Sequence, residues 1–293
     1  APMKAALLMS HGFNDWNVMP EHSYRIYNKA REMGLDVQLY YHQGGHGGPP
    51  PIEMMNKWFT KYLFDIDNGV EKEPRSWIVR EGESRQNPMA YADYPHPDAT
   101  MVELQLKKGG REQGELTLNK GSRKNELLID NANYVGEYLA RSKSSEHRLL
   151  YVSPSLTQDL HISGIPQISI RLASSKPAAN LSVWLVSLPW NGSEDAPIFD
   201  NIITRGWADP QNQKSTSESA PLVPGQFYTV NFDLQPDDQV IPAGQQIGLM
   251  IFSSDQEFTL HPEPGTELTV DLEGTTITIP IVGGLEAFKK AID

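Results

Sequence analysis

At 293 residues the chain is long enough for two hydrophobic cores, and 39% hydrophobic residues with 9% aromatics exclude a disordered chain. A formal charge of −12 argues against nucleic acid as a partner, because phosphates call for basic surfaces. Zero cysteines exclude disulfides, thiolate metal sites and a cysteine nucleophile, and no apolar run reaches the roughly 18 residues that a membrane helix needs.

The apolar run Met3-Lys4-Ala5-Ala6-Leu7-Leu8-Met9 has the length of a buried strand. It leads into His11-Gly12-Phe13-Asn14-Asp15-Trp16-Asn17-Val18, and then Pro20 and Glu21 supply a helix start. Strand, tight turn, helix is the local reading, with Asp15 in the loop at the strand's carboxyl end, the edge where ligands collect in open α/β sheets. The helix is predicted over residues 20–33, with Tyr24, Tyr27, Ala30 and Arg31 at helical spacing and Gly34 as its stop. A second strand over residues 36–41 runs into His42-Gln43-Gly44-Gly45-His46-Gly47-Gly48. Three prolines, Pro49 to Pro51, precede a second helix from Ile52, whose Ile52, Met55, Trp58, Phe59, Tyr62 and Leu63 form an apolar stripe suited to packing on a sheet. Residues 65–74 are polar, with Gly69 and Pro74, and a domain boundary is expected there, giving domains of 1–70 and 71–293.

From Arg75 onward the pattern turns to β. Residues 102–106, 115–118, 168–172, 181–186, 227–232, 246–251, 267–270 and 276–280 alternate as half-buried strands do, and Pro224-Gly225 and Pro242-Ala243-Gly244 mark turns between them. Many short strands without an intervening helical period predict a β-sandwich or jelly roll, mainly antiparallel from about Trp77 to the end, with a short terminal helix over residues 285–292. The fold class is therefore α/β plus all-β.

A carboxylate and a histidine, each just past a strand and separated by one helix, are the last two members of a Ser…Asp…His order. Asp15 would accept the Nδ1 proton of His46 and stabilise the imidazolium formed as a serine attacks. The competing reading of Asp15 is an ordinary turn residue or helix cap. His42 is the rival of His46, but it stays close to the strand whereas His46 lies out in a glycine loop, so His46 is assigned to the triad and His42 to a structural role or to supporting the triad residues from behind. His11 and His22 flank Asp15, yet His11 and Asp15 are separated by a turn and no carboxylate cluster assists, so no metal is expected, and no cofactor. Trp16 is either pocket lining or packing. His96, His147, His161 and His261 fall in the β part without evident partners and are expected to be solvated or core residues.

No Gly-x-Ser-x-Gly elbow occurs in the 293 residues. His161-Ile162-Ser163-Gly164 places a serine before a glycine, but after the histidine in chain order, and is set aside. The chain enters a strand almost at once, so the expectation is a chain that begins mid-domain, with the serine and the oxyanion-hole donors in a segment N-terminal to Ala1.

The segment Ala5-Leu7-Leu8-His11-Gly12-Asn14-Asp15-Trp16-Asn17-Val18 with Gly45-His46-Gly47 resembles the end of the α/β-hydrolase domain in the X-prolyl dipeptidyl aminopeptidase family, which includes cocaine esterase-like and α-amino-acid ester hydrolases. Trp58-Phe59, Tyr62-Leu63 and Asp67-Asn68-Gly69-Val70 are similar to its exit helix. Leu160 with Gly164 and Leu172-Ala173-Ser174, Arg205-Gly206-Trp207, Leu222-Val223-Pro224-Gly225, and Ile241-Pro242-Ala243-Gly244 with Phe252-Ser253-Ser254-Asp255 are similar to its C-terminal jelly roll. The resemblance covers nearly the whole chain. It implies the end of an α/β-hydrolase domain followed by a jelly-roll β-sandwich, Asp15 and His46 as triad members, an acyl-enzyme mechanism, and Arg205-Gly206-Trp207 near the domain junction. The function it implies is the C-terminal part of a serine peptidase releasing N-terminal X-Pro dipeptides. The alternatives are an esterase or acylase on small acyl substrates, or a non-catalytic jelly-roll binding module of the carbohydrate-recognising kind, against which the retention of both Asp15 and His46 argues. Expected partners are a peptide or small acyl substrate and the missing N-terminal hydrolase segment, without nucleic acid or membrane; a homo-oligomer stays open, and the cytoplasm is the favoured compartment. The first two strands and two helices need apolar partners from elsewhere, so the chain alone is expected to have a labile first segment and no activity.

Overall fold

The structure, a computed structural model, describes residues 3–192 and 197–293. The described chain divides into two compact units. The first runs to Ala99 and takes in His161–Gly164 and Gln235–Val240; the second holds the rest.

In the first unit, β1 (Leu7–Gly12), α1 (Glu21–Glu32), β2 (Val37–His42) and α2 (Ile52–Phe64) follow one another as a strand–helix–strand–helix series. β1 and β2 pair in parallel, from Leu7 opposite Val37 to Gly12 opposite His42. β1 thus runs three residues beyond the expected Met9, because the ladder continues as long as β2 offers partners. α1 begins after Pro20, carries Glu21 in its first turn and Lys29 and Arg31 in its last, and ends where Gly34 takes a φ of 71°. Its Tyr27 and Ala30 are buried with Phe13, Leu39, Tyr41 and Tyr94 in one core.

Two expectations change here. β3 (Ser76–Ile78) joins β2 in parallel, Leu39 opposite Ser76, and β4 (Met89–Tyr91) adds antiparallel to β3. The strands near Trp77 therefore belong to the first sheet, of order β1-β2-β3-β4, and not to the β-sandwich expected from about Trp77. Short three-residue strands give too little alternation to reveal which sheet they serve. The apolar stripe of α2 is also not packed as expected: only Trp58 is buried, while Ile52, Phe59, Leu63 and Phe64 are exposed.

Twelve strands follow among the described residues: β5 (Ala99–Lys107), β6 (Gly114–Thr117), β7 (Asn125–Ile129), β8 (Arg148–Val152), β9 (Leu160–Gly164), β10 (Gln167–Ser174), β11 (Leu181–Leu188), β12 (Ile202–Ala208), β13 (Phe227–Asp233), β14 (Asp237–Ile241), β15 (Gln246–Phe252) and β16 (Glu267–Val282). A short helix, α3 (Gly136–Arg141), precedes β8, and α4 (Gly284–Ile292) closes the chain. The second unit is built on the sheet path β12-β11-β15-β8-β6-β5-β16-β10-β13. Its pairings are mainly antiparallel, with β6 and β8 a parallel exception. No helix among the described residues is long and apolar enough to cross a membrane.

The second unit's core gathers Leu150, Val186, Ile202, Met250 and Phe252 around Trp184. Asp255 accepts the indole N–H groups of both Trp184 (3.2 Å) and Trp207 (3.1 Å), and the Arg205 guanidinium lies over the Trp184 ring at 4.5 Å. Arg205 and Trp207 are thus engaged inside the second unit. Burial pushes the Asp255 carboxyl above its ordinary pKa, against the pull of Trp207, Arg205 and Trp184. Arg148 is also buried, and its guanidinium donates to five carbonyl oxygens, those of Leu139, Gly110, Arg111, Glu112 and Ser142. Burial alone lowers its pKa to about 10.

Candidate active site

The parallel pairing of β1 and β2 brings the loops at their carboxyl ends together, and hydrogen bonds continue past the strands. Phe13 N–H donates to the His42 carbonyl (2.8 Å), Asn14 N–H to that of Gly44 (3.2 Å), and the Asn14 amide to that of Gln43 (2.8 Å). The approach is close enough that a Cβ on Gly12 would lie 2.1 Å from the Gly44 carbonyl oxygen, so only glycine fits.

Asp15 and His46 meet across these loops: His46 Nδ1 lies 2.9 Å from Asp15 Oδ2. Because a buried carboxylate accepts only, the proton belongs on Nδ1, which leaves the Nε2 lone pair free. The two partners differ in exposure. Asp15 is buried, whereas the His46 side chain is 63% exposed. Oδ1 of Asp15 accepts from the backbone N–H groups of Asn17 (3.1 Å) and Val18 (3.0 Å), so the turn that places the carboxylate also orients it. Burial works to raise the Asp15 pKa, but the Val18 N–H, His46, the Asn17 N–H and His11 together hold it below the ordinary value.

His11, expected only as a flanking residue, also reaches Asp15: its Nε2 lies 3.1 Å from Oδ2 and 2.8 Å from the Val18 carbonyl. Since that carbonyl can only accept, Nε2 carries a proton, and Nδ1 lies 2.6 Å from the Ser23 hydroxyl. The strand extension to Gly12 explains the contact, because it puts His11 on the edge of β1 beside the turn. Among the described residues no group of three or more His, Cys, Asp and Glu side chains has metal-binding geometry.

His42 takes a different place. It is fully buried; its Nδ1 accepts from Gly44 N–H (3.0 Å) and its Nε2 faces the Gly47 carbonyl (2.9 Å). Burial, the Arg85 guanidinium and His11 lower its pKa, against opposite effects of the Gly47 hydrogen bond and Asp15. A cavity of about 350 Å³ is lined by Ser10, His11, Asp15, Val18, His46 and Gly47. Ser10 donates its hydroxyl to the Gly48 carbonyl (2.6 Å) rather than to a histidine.

A further cluster escaped the sequence. His161 and Arg80 both reach Asp238 Oδ1, at 3.0 and 2.6 Å, and the Tyr91 hydroxyl donates to the same oxygen at 3.1 Å. His161 is therefore paired, contrary to the expectation of no partner. The residues lie up to 158 positions apart, which no local spacing reveals.

The profile described as the X-Pro dipeptidyl-peptidase C-terminal non-catalytic domain matches residues 68–286, and that of X-Pro dipeptidyl-peptidase (S15 family) matches residues 1–48. The chain belongs to the X-Pro dipeptidyl-peptidase family. It is 59% identical over 283 residues to a Rhodopirellula baltica protein provisionally named Xaa-Pro dipeptidyl-peptidase, covering 96% of this chain and 45% of that protein. A Lacticaseibacillus rhamnosus Xaa-Pro dipeptidyl-peptidase is 28% identical over 319 residues, covering 96% of this chain and 40% of the relative. The chain thus spans less than half the length of these relatives. Among solved structures, an aminopeptidase from a marine sediment Thaumarchaeota archaeon has a TM-score of 0.73 at 16% identity, covering 96% of this chain and 56% of that one. An α-amino acid ester hydrolase has a TM-score of 0.72 at 16% identity, with the same two coverages. These two likenesses show a shared fold.

Proposed function

We propose that this chain is the C-terminal part of a serine hydrolase that releases N-terminal X-Pro dipeptides. In this reading residues 1–70 are the end of an α/β-hydrolase domain and residues 71–293 form a jelly-roll domain. The observation that carries it is the 2.9 Å contact between buried Asp15 and exposed His46, on adjacent loops past parallel strands.

Asp15 holds the Nδ1–H tautomer of His46 and stabilises the imidazolium that forms when Nε2 takes a proton from the attacking serine. After acylation, His46 returns that proton to the leaving amine, and a water activated in the same way releases the dipeptide. The serine and the oxyanion-hole donors come from a segment preceding these residues in the polypeptide, which also covers the apolar face of α2. Two features support this: no Gly-x-Ser-x-Gly occurs here, and the relatives are more than twice as long. The relatives' names favour a peptidase over an esterase of small acyl groups. The second unit takes no part in the chemistry.

Expressed alone, the 293-residue chain should not hydrolyse an X-Pro p-nitroanilide. Joined behind the N-terminal half of the Rhodopirellula baltica relative, it should turn that substrate over, and His46→Ala should remove most of the turnover. Turnover by the chain alone, or indifference to His46→Ala in the joined polypeptide, overturns the reading.

A further inference from the structure

We infer that His42 is a positioning residue: its neutral imidazole staples together the two ends of the loop that carries His46, and so sets the contact between His46 and Asp15. The inference rests on the reading of Asp15 and His46 as triad members. The geometry fixes the state of the ring. A backbone N–H can only donate, so Nδ1, 3.0 Å from Gly44 N, must be bare. A carbonyl oxygen can only accept, so Nε2, 2.9 Å from Gly47 O, must carry the proton. Only the neutral Nε2–H tautomer makes both bonds, and His46 lies between the two residues that it holds.

The surroundings bind the loop to this ring. Gly48 has a φ of 110°, and a Cβ there would meet His42 Nε2 at 2.7 Å and the Arg85 guanidinium at 2.3 Å. A Cβ on Gly44 would meet the same guanidinium at 2.2 Å. The glycines thus let the loop wrap closely over His42 and Arg85; the Ser10 hydroxyl and Asn14 tie it to β1 and the turn, and among the described residues the imidazole alone bridges Gly44 to Gly47 across His46. Arg85 itself is anchored through its backbone, whose carbonyl accepts from the Tyr40 hydroxyl at 2.8 Å. The exposed His46 ring has little packing of its own, so its position depends on its loop.

The two ring nitrogens can be replaced separately. In His42→Asn the side-chain oxygen can still accept from Gly44 N–H; in His42→Gln the amide can still donate to the Gly47 carbonyl; His42→Phe keeps a ring and neither bond. Long-range 1H–15N spectra of the histidine-labelled joined polypeptide read the tautomer of His46 without any need for activity. The wild type should show His46 mainly as Nδ1–H. His42→Phe should shift it mainly to Nε2–H, the form imidazole prefers in water, with the circular dichroism of the fold retained, and Asn and Gln should give intermediate fractions. In the joined polypeptide, His42→Phe should lower kcat about 10–100-fold, the cost of a misplaced catalytic group, with KM changed less than about twofold. A folded His42→Phe in which His46 keeps its wild-type tautomer overturns the inference. If His42→Phe does not fold, a folded His42→Gln with an unchanged His46 tautomer overturns it equally. Loss of the triad reading would look different: His46→Ala would leave turnover intact while the tautomer shift in His42→Phe persisted.

Discussion

Trp184 in the second unit and His46 in the first each give one ring N–H to an aspartate, at 3.2 and 2.9 Å. Trp184 is 1% exposed and its ring has no other polar atom. His46 is open to solvent and keeps an unused lone pair. A covered ring contributes packing and a satisfied carboxylate; an uncovered one contributes little to stability and retains a reactive nitrogen. The surfaces of the two units differ in the same sense. Exposed large apolar side chains among the described residues of the second unit are scattered apart from the pair Val135 and Tyr138, with Met101, Phe199, Val223, Leu260 and Leu285 far apart in sequence, whereas Ile52, Phe59, Leu63, Phe64 and Ile66 are concentrated on α2 and just after it. Such concentration fits the covering segment proposed above.

The contrast can be broken most severely at Asp15. In the joined polypeptide, Asp15→Asn should lower kcat by about 10³–10⁴-fold, because an amide stabilises neither the tautomer nor the imidazolium. Hydrogen exchange in the second unit should not change; a loss below tenfold would remove Asp15 from the chemistry. Trp184→Ala tests the other side. It should destabilise the second unit by about 3–5 kcal/mol, the usual cost of emptying a large aromatic site, and hydrogen exchange in β11 and β15 should accelerate while that in β1 and β2 does not. Uniform acceleration would mean that the two units unfold together.

Acid separates them more gently. Asp15 has a folded pKa below its ordinary value of 3.8, so its contribution is fully present above that value and is lost as pH falls through the folded one. The acid limb of unfolding should therefore be shallower in Asp15→Asn than in the wild type, and equal slopes would contradict the assignment. The smallest effect is expected at Leu63. Leu63→Ser should change the stability of this chain by no more than about 0.5 kcal/mol, as at other exposed positions. In the joined polypeptide it should cost clearly more, and an equally small change there would argue that the α2 face remains uncovered.

The sequence carried the first unit's strand–helix–strand series and the alternating strands of the second unit, because both rest on local periodicity. It also brought Asp15 and His46 to neighbouring loops, since parallel strands align their carboxyl ends. Contacts between distant residues were not legible. Nothing near Ser76 announces that it pairs with Leu39, and nothing near His161 announces Asp238. The double claim on Asp15 Oδ2 by His11 and His46 depended on β1 reaching Gly12, three residues beyond where the apolar run ends. The exposed stripe of α2 was misleading for a different reason: helical periodicity tells which residues want burial, not whether a partner is at hand.

The shared carboxylate of Asp255 has an optical consequence. The six tryptophans divide evenly, with Trp16, Trp58 and Trp77 in the first unit and Trp184, Trp190 and Trp207 in the second. Two of the second set have their indole N–H groups on one anionic acceptor, so their emission senses the charge at that position as well as the arrival of water. Phenylalanine at Trp184 and Trp207 would silence that signal and leave the first unit's fluorescence to be watched almost by itself, without any attached dye.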